Sequence, residues 1–579
     1  MEELRIAARE ALQQPTVASI PDSALSNITI PVDLDQLWRE TSSYTGSDNA
    51  KSFENLLVAQ AVLSSQARES LSDVDKTAIN KLYGWASKLA LPSPVFTEST
   101  DDSSSEQRDE SRQRSTLAIS VISLLAALLP VKDAKSAQDA IIAMASFSSE
   151  TDAWATCEAC TTATALLDEI VKDSGRSSFW KIIESTLKDQ IKPLFAKTKN
   201  PAITESGRKN FHPVPLPRFD LSVFDSETKP WKMDAVYITT VFSWIVKQYQ
   251  TTDRAYLEAH FPLLIPPILT LIDDDSLPFK RTGCTLLTQL LIPIRESNSD
   301  ILRRTNLSSV FEDAIRPCFH SLPTITPEDD SIHLLSAAYP ALRSLLQISY
   351  PHPPQSPADQ FLSATTNTLR SHLIPSFHHI GSTTASANST STLSSFPHPR
   401  LSALLLNQIA TTCTDLGIHT TKYLQDIVPL IYSTLSNPFG PAYPPLLLAA
   451  VSVARAVILN AYLRIWRWRG EILGAVCSCW VYILEEEGQL EDTSATRVPR
   501  EGEKFMELEK LKKELRGLVY LLQYALENPV DPGEDRGQRE AKERIAGELR
   551  TLVDADESLR GCLLGEIDSE DGTYFGLDS

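Results

Sequence analysis

The sequence predicts an all-α fold built as a HEAT-like helical-repeat solenoid, an α–α superhelix. Apolar residues recur at intervals of three and four along most of the chain, and no convincing series of alternating strands occurs. Prolines inside apolar helical stretches recur 50 to 74 residues apart. Glycine, at 20 of 579 residues, is too scarce to favour a turn-rich all-β fold.

Residues 1–200 are predicted to be an irregular α-helical N-terminal region. Helical periodicity is clear at 55–72, 74–90, 134–147 and 154–172. Segment 97–115 contains no apolar residue, so we expect an acidic surface loop there. Ser99 and Ser103 in this segment each precede an acid by three residues, a spacing that acidophilic kinases prefer. A solvated loop that is never modified is the alternative.

Residues 201–485 are predicted to form the HEAT-like repeat core. Five prolines follow the pattern apolar–any–Pro–any–apolar, namely Pro193, Pro267, Pro317, Pro375 and Pro429. A proline inside a helix removes a backbone hydrogen bond and bends the helix. A bent helix followed by a straight one is the unit of a HEAT repeat, whose usual period is about 40–47 residues. Because the observed intervals are longer, helix-bending prolines placed by chance are the alternative.

The clearest repeat lies at 261–294. Its first helix is expected to end at Ile272, with the three acids that follow forming the turn. Asp274 or Asp275 is expected to cap the second helix, because an acid there accepts from free N–H groups at the positive helix end. The second helix then buries Cys284 and the leucines that follow it.

Residues 486–553 are predicted to form C-terminal helices, and 554–579 an acidic tail without stable structure. Apolar residues continue along one helix face from Phe505 to Leu522. The tail carries eight acids against the single Arg560. Other polar segments are expected to be surface loops or linkers, at 381–395, 485–504 and 527–540.

Charge and composition favour a soluble chain that binds proteins. The formal net charge is −20, which disfavours nucleic acid or an anionic membrane as the main partner. The apolar run 115–131 is shorter than a membrane span needs, so a buried helix is expected there. The acidic start does not resemble a signal peptide. Eight dispersed cysteines indicate free buried thiols in a reducing compartment.

Catalytic, metal and cofactor sites are not predicted. Cys157 and Cys160 form a single CxxC pair without a second pair or a nearby histidine pair, so packing in the core is expected rather than metal or redox use. No phosphate-binding, nucleophile-elbow or zinc-protease motif occurs. The sequence therefore favours a protein that is not an enzyme.

The candidate partner-binding residues lie close together on one predicted helix and are Arg464, Trp466, Arg467, Trp468 and Arg469. Tryptophan and arginine are the residues most enriched at binding hot spots. Trp466 and Arg469 share one face of an ideal helix, whereas Trp468 lies about 200° from Trp466. One indole is therefore free to serve another surface, and the alternative is a helix sandwiched between two repeat layers.

The sequence also resembles the Tel-two-interacting protein two family, a subunit of the TTT co-chaperone complex. The resemblance is carried by LLIPPILTLIDDD (263–275), KRTGCTLLTQLL (280–291) and the region 308–342, in which TPEDDSIHLLSAAYPAL is the most specific part. It resumes at VILNAYLRIWRWRGEIL (457–473). Together these segments lie within 230–485, about half of the chain.

The resemblance implies a non-catalytic scaffold in a trimeric complex with the two other TTT subunits. It further implies work with the ninety-kilodalton heat-shock chaperone on phosphatidylinositol-kinase-related kinases, including TOR and the DNA-damage checkpoint kinases, and hence a role in telomere maintenance. A cytoplasmic and nuclear location is expected. The main partner contact is predicted at 420–526.

A solenoid transport adaptor of the importin kind, which binds basic cargo, is the alternative function. An acidic solenoid suits that role electrostatically.

Overall fold

The computed structural model describes most of the chain in fourteen stretches. They are 2–13, 19–21, residue 25, 33–42, 49–65, 71–97, 103–173, 175–198, 200–212, 229–350, 360–382, 396–492, 499–527 and 535–565.

Helices follow one another along the first part of the chain. Their bounds are α1 Glu2–Ala11, α2 Leu34–Ser42, α3 Asn49–Ser64, α4 Asp73–Ala90, α5 Ser103–Leu128, α6 Ala137–Ala145, α7 Cys157–Asp173, α8 Arg176–Thr186, α9 Lys192–Phe195, α10 Pro230–Met233, α11 Ile238–Lys247, α12 Arg254–Asp273, α13 Leu277–Glu296, α14 Ile301–Thr305 and α15 Ser308–Ile315.

The second part continues in the same way. Its helices are α16 Glu328–Ser349, α17 Gln360–Asn367, α18 Ile374–Ser382, α19 Pro399–Leu416, α20 Leu424–Leu435, α21 Pro444–Ile465, α22 Arg469–Asp492, α23 Pro499–Glu527, α24 Asp535–Ala555 and α25 Arg560–Leu563.

The predicted all-α, helical-repeat fold class is confirmed. Within the described stretches the only β-type pairing is an isolated bridge between Ile203 and Lys209. The chain divides into two compact units, residues 1–274 with 286–311, and residues 275–285 with 312–579. These limits differ from the predicted boundaries at 200 and 485, and residue 485 lies inside α22.

The marker prolines act on their helices in three ways. Pro193 and Pro375 each follow a π-helical turn, Leu187–Ile191 and Thr368–Leu373. Because a proline has no N–H, the carbonyl four residues before it loses its usual partner, and a wider turn pairs carbonyls with N–H groups five residues on. Pro317 lies in a 3₁₀ turn that ends α15, whereas Pro267 and Pro429 remain inside α-helices.

In the first unit a buried carboxylate ties α8 to the start of α12. The Asp253 side chain accepts hydrogen bonds from Arg176 Nε and Nη2, both at 2.7 Å, and from Trp180 Nε1 at 3.1 Å. The Trp180 ring stacks on Tyr249, with 4.5 Å between ring centroids. Tyr249 Oη in turn lies 2.9 Å from Nδ1 of the buried His260. Charge pairing, stacking and a hydroxyl–imidazole contact therefore lock three helical segments together.

Asp274 acts differently from the expected helix cap. Its side chain is fully buried and accepts hydrogen bonds from Lys229 Nζ at 2.7 Å and from Lys232 Nζ at 3.3 Å. Two lysines of the segment that starts α10 thus hold the end of α12. Trp231, between them in sequence, stacks on Phe195.

In the second unit, α19, α21 and α23 lie side by side, and α20 and α22 pack against them. Each helix contacts helices that follow or precede it closely in sequence, as in a repeat array. Helix α24 then packs on α23, and α25 contacts both. This order places the turn between α21 and α22 next to α24.

All four predicted loops are partly helical. Residues 381–382 belong to α18, 499–504 and 527 to α23, and 535–540 to α24. Residues 103–115 form the first half of α5, with Ser111 and Ser115 buried, because serine is small enough to face a core while the charged residues cover the outer face. Residues 485–492 belong to α22. Ser99 and most of 381–395 lie outside the described residues, and Ser103 is the first residue of α5.

The expected tail is also structured in its first part. After α24, residues Glu557–Leu559 form a 3₁₀ turn and α25 follows. Leu559, Cys562 and Leu563 are buried, and Trp480 Nε1 donates to the Ser558 carbonyl at 3.1 Å. Burial of three apolar side chains within five positions is enough to order this segment, although its composition is acidic. Residues 566–579 lie outside the described stretches.

Two described segments, Thr251–Asp273 and Pro444–Gly488, are long and apolar enough to cross a membrane by length and composition. In each, 61% of the most apolar window is buried inside the fold. Core helices of soluble proteins pass the same test, so these segments are weak evidence for a membrane span. The helix predicted in run 115–131 is part of α5, which ends at Leu128. It buries Leu117, Ile119, Val121, Ile122 and Leu125, whereas Leu124 and Leu128 are half-buried.

We predict that the first unit loses stability as pH falls from 7.5 to 5.5. Burial lowers the pKa of His260, so the unfolded chain binds a proton more readily than the folded one. The stabilisation is complete above the ordinary histidine pKa of about 6.5 and is lost as pH falls through it. Urea unfolding at several pH values measures the slope, which His260→Asn should flatten.

The matched control is His212→Asn, since His212 is exposed. It should leave the pH dependence of the unfolding free energy unchanged. An identical slope in the wild-type and His260→Asn proteins would show that His260 is not responsible.

Candidate partner-binding surface

The five candidate residues lie at a turn between two helices rather than on one helix. Trp466–Trp468 form a single 3₁₀ turn between α21 and α22. Helix α21 is already interrupted at Ala461, whose φ of −115° and ψ of 21° are not helical. The helical angle predicted between Trp466 and Trp468 therefore does not apply, although the two indoles still meet different surroundings.

Trp466 is held between two arginines. The guanidinium carbon of Arg469 lies 4.0 Å from the centroid of the indole, and that of Arg544 in α24 lies 4.3 Å from it. Both distances are well inside the range of a cation–π interaction, which is worth about 0.5–2 kcal/mol depending on solvation. Half-buried Trp466 thus joins the turn to α24.

Glu548 of α24 balances these cations. It accepts two hydrogen bonds from Arg469, from Nε at 2.9 Å and from Nη2 at 2.8 Å, while Arg469 Nη1 donates to the Trp466 carbonyl. The bidentate pair lowers the pKa of Glu548 and raises that of Arg469. Both charges are therefore retained across the physiological pH range and fix the position of α24.

The other three candidates face outward. Arg464 and Arg467 are exposed, and no described carboxylate lies within ion-pair distance of either. Trp468 is half-buried, with the Arg467 guanidinium carbon 6.0 Å from its ring centroid. The turn therefore has an inner part, Trp466 with Arg469, and an outer part, Arg464, Arg467 and Trp468. Partner binding by these residues stays a prediction.

Sequence reasoning did not identify Arg544 and Glu548 as part of this cluster. They lie 75–79 residues from the turn, and no local pattern pairs positions so far apart. A signal was present in α24 itself, where Ile545, Leu549 and Val553 recur every four residues and are all buried. That period predicts that α24 packs on something, but not on what.

Large apolar side chains are exposed around the turn. Of the 18 large hydrophobic residues that are exposed among the described ones, ten lie between Ile418 and Tyr524. Seven of them lie on α21 and α23, namely Leu459, Tyr462, Leu463, Phe505, Met506, Tyr520 and Tyr524. Clusters of exposed apolar side chains mark interaction sites more often than single ones do. Nine of the 18 residues lie within 420–526, the region predicted for partner contact.

Nucleophilic or metal chemistry finds little support elsewhere. Among the described residues, no group of three or more His, Cys, Asp or Glu side chains is arranged to hold a metal ion. Burial raises the pKa of the Cys413 and Cys479 thiols to about 12, which keeps them protonated and unreactive. Cys160 is buried, but Cys157 is exposed at the first residue of α7, so the expected packing of both thiols in the core is wrong for Cys157.

We predict that Trp466→Ala destabilises the second unit by about 2–3 kcal/mol, because it removes a half-buried indole and both of its cation–π contacts. Trp468→Ala is the matched control and should change the unfolding free energy by less than about 1 kcal/mol. Denaturant unfolding of the two purified variants measures the difference. Equal losses would mean that both indoles are core residues and that the outer part of the turn offers no separate surface.

Comparison with known proteins gives one family. The Tti2 family is matched over residues 140–442, just over half of the 579-residue chain. The matched segment begins in α6 and ends shortly before α21. No curated protein matches the chain.

Proposed function

The chain belongs to the Tti2 family, and on this premise we propose that it is a scaffold subunit of the TTT complex. It binds the two other TTT subunits through its helical surface and carries out no catalysis. Membership of the family supports an association with this complex in general terms, and the helical-repeat fold suits a subunit whose task is to present a long surface.

In this role the chain works with the ninety-kilodalton heat-shock chaperone. The complex promotes the maturation and stability of phosphatidylinositol-kinase-related kinases, including TOR and the DNA-damage checkpoint kinases, and through them telomere maintenance. The chain carries out this work in the cytoplasm and the nucleus. Its contact with chaperone and kinases is indirect, through the other subunits.

The observation that carries the proposed contact is the apolar surface between Ile418 and Tyr524. A stable subunit interface buries about 2,000 Å² or more and is centred on aromatic, aliphatic and arginine side chains. Exposed tyrosines and leucines occur there together with Arg464 and Arg467, which have no carboxylate partner among the described residues. We therefore place the main contact with the other TTT subunits at 420–526, with Arg464, Arg467 and Trp468 within it.

An importin-like transport adaptor remains the second candidate. The net charge of −20 favours it, because an acidic solenoid attracts basic cargo. The apolar surface around the turn favours a stable protein subunit instead, since basic cargo would be bound mainly by acidic side chains.

We predict that the full-length chain, tagged and purified from its native host, recovers the two other TTT subunits in near-stoichiometric amounts. A large apolar interface dissociates slowly and survives washing. Quantitative mass spectrometry measures the ratios. Recovery of Ran GTPase and importin partners without the TTT subunits would identify the adaptor function instead.

We also predict that depletion of the chain lowers the amounts of TOR and the checkpoint kinases several-fold while their messenger RNA levels stay constant. A co-chaperone raises the fraction of newly made kinase that folds, and kinase that fails to fold is degraded, so the amount of kinase falls when the co-chaperone is depleted. Immunoblotting after depletion measures this, with a kinase of an unrelated family as the control. A fall in the unrelated kinase to the same extent would point to a general defect.

A further inference from the structure

The apolar surface near the turn contains a narrow strip across α21 and α23. We call Leu459, Tyr462, Leu463, Tyr520 and Tyr524 the aromatic strip, and each is 40–49% exposed. Leu459 and Leu463 are four residues apart on α21, on either side of the non-helical Ala461, and Tyr520 and Tyr524 are one helical turn apart on α23. Two neighbouring helices therefore both present large apolar side chains.

Helices α21 and α23 run parallel, which brings the two halves of the strip to the same level. Arg455 of α21 pairs with Glu514, and Glu487 of α22 pairs with Lys512, so both helices lie beside the same part of α23 and the chain reverses direction between them. Lys512 of α23 pairs with Glu487 of α22, and Arg516, four residues after Lys512, lies over Trp480, seven residues before Glu487. The contacts thus run in opposite directions along the two helices, and α22 and α23 are antiparallel.

The Arg455–Glu514 ion pair sets the register between the two parallel helices. Arg455 Nη1 lies 3.1 Å from Glu514 Oε2. Tyr462 and Leu463 lie seven and eight residues after Arg455, and positions 521 and 522 lie seven and eight residues after Glu514. Because the helices are parallel, these positions are at the same level, and Tyr520 and Tyr524 flank 521–522.

The end of the strip next to the turn is positively charged. Arg464 and Arg467 are exposed and have no carboxylate partner among the described residues. In a chain with a net charge of −20, two unpaired arginines beside exposed apolar side chains are a local reversal of sign. Exposed charges beyond about 8 Å are screened at physiological salt, so these local cations decide which partner charge is favoured.

We infer that the aromatic strip binds one amphipathic α-helix of a partner protein, whose apolar face covers the strip and whose flank carries Asp or Glu beside Arg464 and Arg467. This inference rests on the proposed function, because the partner is one of the subunits with which the chain assembles. Helix-in-groove recognition uses apolar anchors at positions i, i+3, i+4 and i+7.

The first experiment identifies the segment that covers the strip. Tyr462 of the full-length chain is replaced by the photoreactive p-benzoylphenylalanine, the complex is irradiated in native extract, and the cross-linked peptide is sequenced by mass spectrometry. The control carries the same group at Ile325, which is 87% exposed and lies in the same unit. The expected peptide comes from a co-purifying subunit, has apolar residues at helical spacing and has flanking acids; the Ile325 position should not yield it.

The second experiment tests the charges. Arg464→Glu combined with Arg467→Glu should weaken the recovered complex at least about tenfold at physiological salt, since like charges would then face each other. Arg281→Glu combined with Arg303→Glu makes the same change of charge at exposed positions elsewhere and should leave the complex intact. Unfolding midpoints of both variants exclude a loss of folding.

Three results would overturn the inference. One is a cross-linked peptide that is basic or lacks helical apolar spacing. Another is cross-linking of Tyr462 only to the chain's own acidic residues 566–579. The third is recovery of the TTT subunits without any Tyr462 cross-link or any effect of the arginine reversals. If the TTT subunits are not recovered but an acidic amphipathic helix is cross-linked, the proposed function fails and the inference holds.

Discussion

The second unit depends on the packing of α21 between α19 and α23. Of its 22 residues, 13 are buried, and many of them are alanines, which let neighbouring helices approach closely. Once α19, α20 and α23 each cover part of α21, only a narrow face is left, and Leu459 and Leu463 lie on it. The aromatic strip is therefore a consequence of how the core is filled, because the same packing that buries the alanines leaves those two leucines outside.

Helical periodicity in the sequence was enough to predict the fold class and most helices of the core. It failed where burial does not require an apolar residue. Residues 103–115 look like a loop because Ser111 and Ser115, which face the core, are polar. Residues 554–565 look like a tail because three apolar side chains are surrounded by acids. In both places the size and position of a few side chains decide the structure, and the average composition of the segment does not show them.

Long-range pairing was the second limit. Asp274 or Asp275 was expected to cap a helix because both lie in a turn, and the ion pairs of Asp274 with Lys229 and Lys232, 45 and 42 residues away, were not expected. Likewise the sequence predicted candidate contact residues on a helix at Trp466, but it did not predict the contact of Trp466 with Arg544 of α24. Ion pairs of this kind leave only single charged residues in the sequence, and their partners become evident once the helices have been packed.

The arginines of the turn divide according to what their neighbours provide. Arg469 points toward α24, where Glu548 accepts two hydrogen bonds and Trp466 offers its ring, so its charge is compensated inside the fold. Arg464 and Arg467 are exposed, and no described acid lies within ion-pair distance of either. An exposed arginine costs little when hydrated, but beside an apolar face it becomes a selective element, since a partner that covers the leucines and tyrosines must also supply the missing carboxylates. The apolar residues then provide most of the binding energy, and the arginines determine which helices can use it.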